Sequence, residues 1–310
     1  MTSRPITRKP FPISKIVVPV VTVGILFALW RLGYKWAALP VVLFVLFYFL
    51  VLPGMVRKRT ERFNRKALSL LTTGKAAALP GLVRRSVFLQ LFGPRGPLDA
   101  KLALAYVQCE AYHNAVPCFE SGMSTAPLTE RVALQSGLVK ALFATGDLGR
   151  AESEARSIVD NYTRLPELLA IMARARIGLG KTDDTTRLLL DEAAALSPSS
   201  DVNLMIELSR IEMALASGRK APAFPEQADS GTKLIRSWIH AVRGMLRESR
   251  GDSERALESF QKAKNTLPDS LFAKLSDTHI DALTATTDKN GSAGEAIDPA
   301  IRRKKQRRRR

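Results

Sequence analysis

The string that most suggests phosphate chemistry is GLGKTDD, from Gly178 to Asp184. A phosphate-binding loop requires GxxxxGK[ST] between a strand and a helix, so that backbone amides surround the phosphates. Ala175 stands where the first glycine of that motif would be, and the preceding residues, LLAIMARARI, have helical periodicity. The string therefore predicts a turn between two helices, with Gly180 at the turn, and no nucleotide site.

Metal and thiol chemistry is also poorly supported. The chain has two cysteines, Cys109 and Cys118, and its three histidines include no HExxH motif. We expect two small buried thiols on facing helices, which a cytoplasmic compartment would keep reduced, although one disulfide is an alternative. His113 begins a helix, where a capping or solvated role is expected.

Paired carboxylates occur at Glu152 and Glu154 and again at Asp183 and Asp184. Acidic residues in first helical turns interact favourably with the helix dipole, which explains them without catalysis. A catalytic pair also needs a pocket and an opposing group, and no Ser-His-Asp or Cys-His arrangement supplies one. We therefore expect no enzymatic activity and no cofactor.

The positive charge of the chain is concentrated at its two ends. Residues 1–95 contain 16 basic residues and one acid, Glu61, whereas residues 96–301 have a net charge of −5. A nucleic-acid-binding fold usually carries its basic patch on the folded domain, so nucleic acid is an unlikely partner.

The last nine residues, RRKKQRRRR, form a basic tail. Such a tail suits anionic lipid of the cytoplasmic leaflet or an acidic partner protein, with nucleic acid and a merely solvated segment as alternatives. The tail residues expected to make these contacts are Arg302, Arg303, Lys304, Lys305, Arg307, Arg308, Arg309 and Arg310.

Two uncharged apolar segments, residues 16–30 and 36–55, predict a transmembrane hairpin within residues 1–56. About 20 helical residues span a bilayer core, so the first segment spans only if Lys15 and Arg31 extend their charges to the interfaces. A cleaved signal peptide is the alternative for that segment. About five residues join the two segments, which makes them antiparallel.

The flanking charges predict the orientation of this hairpin. Four basic residues precede the first span and six follow the second, whereas the connecting turn carries two. Positively charged flanks remain cytoplasmic. We therefore expect an integral protein of the bacterial inner membrane, with both termini and the domain that follows in the cytoplasm.

The rest of the chain shows apolar residues at helical spacing, interrupted by Gly-Asp and Pro, with helix pairs repeating about every 34 residues. TGDLGRA from Thr145 and RGDSERA from Arg250 align with each other. Two units share a pattern of small, aromatic and proline positions. These are Leu102, Ala103, Tyr106, Ala115, Phe119, Gly122 and Pro127 in the first, and Gly244, Gly251, Asp252, Ala256, Phe260, Ala263 and Pro268 in the second.

This pattern resembles the tetratricopeptide repeat, which implies an all-α fold with an α-solenoid of helix pairs over residues 57–285. The units at 132–165 and 166–199 are degenerate, and residues 218–231 are expected to form a loop in place of a second helix. Residues 270–285 are expected to cap the array, and residues 286–310 to be disordered. A hairpin leading into helical repeats also loosely resembles the HemY-type bacterial membrane proteins, in architecture only.

The resemblance implies a peptide-binding concave face lined by the first helix of each pair. Lys140 and Arg174 lie one repeat apart, so they are expected to stack as a cationic ladder for an acidic or carboxylate-terminated peptide, although two solvated side chains remain an alternative. The implied peptide-binding residues are Leu104, Val107, Gln108, Lys140, Phe143, Arg174, Ile177, Trp238 and Met245.

These features predict a membrane-anchored scaffold or assembly factor whose cytoplasmic repeats bind a peptide or protein partner. The alternative is a subunit or regulator of an envelope-biogenesis or transport complex that acts through its membrane hairpin.

Overall fold

The chain is all-helical in the part of it that the structure describes. A computed structural model describes residues 47–196, 199–225 and 231–294, with side chains as far as 285, together with Gly24, Arg31, Pro40 and Leu43. A π-helical turn at Phe47–Val51 and a 3₁₀ turn at Ala76–Ala78 accompany thirteen α-helices in these residues. The α-helices are α1 Leu52–Thr72, α2 Leu79–Arg85, α3 Val87–Phe92, α4 Arg95–Gln108, α5 Tyr112–Thr125, α6 Leu128–Thr145, α7 Leu148–Asn161, α8 Pro166–Gly178, α9 Asp184–Ala195, α10 Ser200–Ala216, α11 Lys233–Glu248, α12 Ser253–Thr266 and α13 Leu271–Gly294.

The chain divides into two compact units. The N-terminal unit comprises residues 1–69 and 82–94, and the helical array comprises residues 70–81 and 95–310. The predicted boundary at residue 56 falls inside helix α1. The predicted span 16–30, apart from Gly24, and nine of the 20 residues of the predicted span 36–55 lie outside the described residues. No described helix combines the length and the apolar character that crossing a membrane requires.

Glycine and aspartate set the turns within the helix pairs. Gly146, Gly180 and Gly251 have φ of +91°, +76° and +79°, a left-handed conformation that glycine adopts without a steric penalty. Aspartate caps the following helix in the same three pairs. Asp147 accepts a hydrogen bond from the Arg150 amide, and Asp252 accepts one from the Arg255 amide. In the Gly-Asp pattern of the sequence, the glycine thus ends one helix and the aspartate begins the next.

Successive helices of the array pack against one another in chain order, and first helices also contact first helices, as α6 contacts α8 and α8 contacts α10. This repeat-like packing of neighbours is compatible with an α-solenoid. Small residues permit the close approach. A Cβ on Gly137 would lie 2.4 Å from the Phe119 ring, and one on Gly244 would lie 2.5 Å from the Phe260 ring. Both phenylalanines are fully buried.

The two ends of the array meet. Lys274 of α13 donates from Nζ to the Thr145 carbonyl at 2.8 Å, and Asp269 O lies 3.1 Å from His113 Nε2. Helix α13 therefore contacts the second helix pair as well as its neighbour α12.

Helix α13 also extends to Gly294, nine residues beyond the predicted end of the capping helix at 285. No proline interrupts the sequence between Pro268 and Pro299, and proline is the strongest helix breaker. Residues 295–310, which include the basic tail, lie outside the described residues.

Candidate binding groove

A cavity of about 410 Å³ lies among the first helices of the array, and we call it the groove cavity. It is formed by the end of α4, the turn into α5, and side chains of α6, α8, α10 and α11. Five of the nine predicted peptide-binding residues line it. These are Val107, Gln108, Lys140, Phe143 and Trp238. The structure thus brings together predicted residues from three helices, α4, α6 and α11, that are far apart in the sequence.

Aromatic and aliphatic side chains form the floor of the groove cavity. Trp238 is 1% exposed and stacks on Phe272 with ring centroids 5.0 Å apart. Phe143 meets Trp238 edge-on at 5.9 Å, and Ile171 and Met205 complete the apolar surface. Because these rings are fixed by one another, the floor is preorganised for an apolar side chain of a ligand.

Carboxylates dominate the rim. Glu110, Glu167 and Asp201 line the groove cavity, with Lys140 as the only basic lining residue among those the structure describes. Lys140 Nζ lies 2.8 Å from Glu167 Oε1, so these two charges neutralise each other and the other two carboxylates leave the lining net negative. The rim therefore favours a cationic ligand group over an anionic one.

Glu110 ties the first helix pair to the last at the edge of this cavity. Its carboxylate accepts a hydrogen bond from the Lys233 amide at 2.7 Å and lies 3.7 Å from Lys233 Nζ. Its φ is +58°, a conformation that costs a non-glycine residue free energy. Burial, and secondly the charge of Glu110, raise the pKa of Tyr112, so the phenol stays protonated at neutral pH.

The predicted cationic ladder is wrong, because Arg174 does not line the groove cavity. Its side chain is buried at 4% exposure and forms an ion pair with Glu212, which is 5% exposed. Glu212 also accepts a hydrogen bond from Trp238 Nε1 at 3.0 Å. The guanidinium lies 5.8 Å from the Trp238 ring centroid. The rings of Trp238 on α11 and Phe272 on α13 lie near the Arg174 guanidinium, whereas Lys140 on α6 remains half-exposed.

The three other predicted residues also lie outside the groove cavity. Leu104 is exposed on α4, Ile177 is buried on α8, and Met245 is half-buried against the core.

The sequence analysis did not predict the acidic rim of the groove cavity. Glu110 occupies the turn glycine position of better-matched repeats, five residues before Ala115. Glu167 and Asp201 resembled ordinary first-turn acids.

No family model, no curated protein and no solved structure matches the chain. The likeness to tetratricopeptide repeats therefore remains a prediction from the residue pattern, and the groove cavity is interpreted from its own geometry.

The GLGKTDD string forms a turn between α8 and α9, as predicted, and an ionic cluster fixes it. Glu152 is 7% exposed and accepts hydrogen bonds from Lys181 at 2.8 Å and from Arg176 at 3.0 Å. Arg176 also contacts Asp183 at 2.7 Å and donates to Thr186 Oγ1 at 3.0 Å. The lysine and the first aspartate of the string are thus occupied by protein groups.

Replacing Glu152 by Gln is expected to lower the free energy of unfolding by about 2 kcal/mol at neutral pH, because two buried or half-buried cations lose their carboxylate. Burial would raise the pKa of Glu152, but Lys181, Arg176 and Arg156 lower it, and the lowering prevails. The cluster therefore contributes stability above the unfolded pKa of about 4.3, and this stability is lost as the pH falls.

Denaturant unfolding at neutral and acidic pH measures this effect. The Glu152→Gln variant should lose less stability on acidification than the natural chain, whereas Glu254→Gln, at an exposed position, should behave like the natural chain. Parallel losses in all three chains would show that the cluster does not carry the pH dependence.

The two cysteines are free. Cys109 is exposed, so its predicted burial is wrong, because it lies at the end of α4, next to the turn. Cys118 is half-buried, and burial raises the pKa of its thiol. No cluster of potential metal ligands occurs among the described residues.

Proposed function

We propose that this protein is a membrane-anchored scaffold or assembly factor, whose array acts as a tetratricopeptide-like α-solenoid and binds a peptide segment of a partner protein in the groove cavity. The observation that carries this proposal is the convergence of side chains from five first helices on one cavity with an apolar floor and a charged rim. Ligand sites commonly combine apolar walls with a few placed polar groups.

Membrane anchoring is supported by the surface around the start of α1. Phe47, Phe49, Leu50 and Val51 are all at least 46% exposed, and six basic residues follow between 57 and 66. A helical segment that changes from exposed apolar residues to basic ones is typical of a membrane boundary on the cytoplasmic side. This boundary coincides with the end of the predicted second span.

The rim indicates the chemistry of the partner. The rim carries three carboxylates against Lys140 and the adjacent Lys233, so it remains net negative. The groove cavity therefore fits a segment that places one Lys or Arg at the rim and an apolar side chain on the Phe143 and Trp238 floor. An acidic or carboxylate-terminated peptide, expected from the sequence, would face Glu110, Glu167 and Asp201.

Fluorescence anisotropy of the full chain in a neutral detergent tests this proposal with two synthetic peptides. Both carry the same apolar residues, and they differ by having lysine or glutamate at all charged positions. The lysine peptide should bind more tightly. The Glu167→Gln/Asp201→Asn variant should weaken its binding by about 1 to 2 kcal/mol, as expected for partly exposed charge contacts. Rising salt should also weaken binding.

A matched control replaces two exposed acids elsewhere, Glu207→Gln/Glu254→Gln. Equal weakening in this control, or tighter binding of the glutamate peptide, would contradict the proposed groove chemistry.

A chain ending at Ile301 tests whether the protein's own basic tail occupies the groove cavity. If its removal strengthens peptide binding, the tail competes for the cavity.

A further inference from the structure

The N-terminal unit contains a second cavity, of about 720 Å³, between α1 and the segment formed by α2 and α3. We call it the basic cavity. Its lining includes five cationic side chains and no carboxylate. The five are Arg59, Arg62, Arg65, Lys66 and Arg85. Its apolar wall includes Phe63, Leu82 and Leu89.

The cations of the basic cavity have no carboxylate to neutralise them within the unit. Glu61 is the single acid in residues 1–95, and it pairs with Arg57 at 3.1 Å, outside the cavity lining. Like charges three and four residues apart on a helix repel one another, and Arg62, Arg65 and Lys66 have this spacing. Such a group is stabilised by an anion, and guanidinium groups match the oxygens of a phosphate well.

Exposed apolar side chains adjoin the basic cavity on α3. Val87, Leu91 and Phe92 are 56%, 71% and 49% exposed, whereas Leu89 of the same helix is buried. The Arg59 guanidinium lies 4.2 Å from the centroid of the Phe88 ring, which links the cationic and apolar sides. A cationic surface beside exposed aliphatic residues is typical of segments that lie in a membrane interface, whereas single-stranded nucleic acid requires stacking faces.

The position of the basic cavity along α1 agrees with this interpretation. Val56 is the last apolar residue before the basic run. Arg59 follows it by three residues, or about 4.5 Å along the helix axis. The headgroup layer extends roughly 5 to 8 Å beyond the hydrocarbon core on each side. The first cations of the cavity therefore fall at headgroup depth if the predicted second span is inserted.

We propose that the basic cavity binds the phosphate of an anionic phospholipid in the cytoplasmic leaflet, while Val87, Leu91 and Phe92 contact the acyl-chain boundary. This site is separate from the groove cavity, and it does not depend on the partner bound there. It attaches the N-terminal unit to the bilayer by a specific lipid contact in addition to the hairpin.

Native mass spectrometry of the full chain in a neutral detergent tests this site with dioctanoyl phosphatidylglycerol and dioctanoyl phosphatidylcholine as probes. The natural chain should retain the anionic lipid preferentially. The variant Arg62→Gln/Arg65→Gln/Arg85→Gln should bind it roughly fivefold more weakly for each cation removed, on the order of 100-fold in all. The variant Arg62→Lys/Arg65→Lys/Arg85→Lys should recover most of the affinity.

The control variant Arg219→Gln/Lys220→Gln/Arg250→Gln removes the same charge from exposed positions of the array. Equal loss in this control, or equal retention of both lipids by the natural chain, would overturn the proposal. A chain lacking residues 302–310 should keep the preference, and its loss would assign lipid binding to the tail. Displacement of the lipid by inorganic phosphate, or by oligouridylate at lower concentration, would likewise overturn a lipid site.

Discussion

Replacing Arg174 by Met, or Glu212 by Gln, is expected to lower the free energy of unfolding by about 3 to 5 kcal/mol, because each change leaves one uncompensated charge in the core. Both side chains are 5% exposed or less, and aromatic rings surround the guanidinium. Denaturant unfolding of the full chain, followed by circular dichroism, measures the loss.

The double variant Arg174→Met/Glu212→Gln separates charge burial from packing. It removes both charges and leaves an amide oxygen for Trp238, so it should cost less than either single change. Nη1 of Arg174 is buried without a hydrogen-bond partner among the described residues, which further favours its removal. A double variant that costs the sum of the two single changes would contradict a coupled ion pair.

The cost of Arg174→Met should also depend on pH. Burial raises the pKa of Glu212, and Arg174 is the main group that opposes the rise. Without Arg174 the pKa rises further, and a carboxyl with a raised pKa contributes stability at low pH that is lost as the pH rises. The variant should therefore lose less stability at acidic pH than at alkaline pH, and an opposite trend would contradict this assignment.

The changes Ala115→Trp and Ala256→Trp are each expected to destabilise the array by about 1 to 3 kcal/mol or more, because they overpack tight helix crossings. Both alanines are fully buried. Neither crossing has space for an indole, since Ala115 is on α5, which packs closely against α4, and Ala256 is on α12, which packs closely against α11.

The matched control is Ala223→Trp, which makes the same substitution at an exposed position of the 218–231 loop. Its thermal unfolding should remain within about 0.5 kcal/mol of the natural chain. Equal destabilisation at Ala223 would show that the assignment of core and loop positions is wrong.

The helix pairs could be predicted from the sequence because their determinants are local. Glycine at φ near +80° and aspartate at the next N-cap depend on neighbouring residues only. Gly244, the small residue opposite Phe260, belongs to the sequence pattern for the same reason, whereas Gly137 opposite Phe119 was not part of it. Five of the nine predicted groove residues consequently lie in one cavity.

The burial of Arg174 could not be predicted from the sequence, because it depends on contacts with helices later in the chain. Lys140 and Arg174 are equivalent in the 34-residue register, and contacts from α10, α11 and α13, later in the chain, distinguish them. The acidic rim likewise follows from long-range packing, because Glu110, Glu167 and Asp201 come from different helix pairs. Charge reversal at Arg174, which the predicted ladder would have suggested as a binding test, should instead disrupt the core.

Site-specific photo-crosslinking tests the central claim most directly. The full chain, reconstituted in lipid vesicles, would carry benzoylphenylalanine at Gln108, which lines the groove cavity, or at Gln261, which is exposed on α12. With the lysine peptide as probe, we expect a crosslinked product at position 108, recovered with the vesicles, and little at position 261. Equal products at both positions, or a protein that separates from the vesicles, would contradict a membrane-anchored scaffold with a peptide-binding groove.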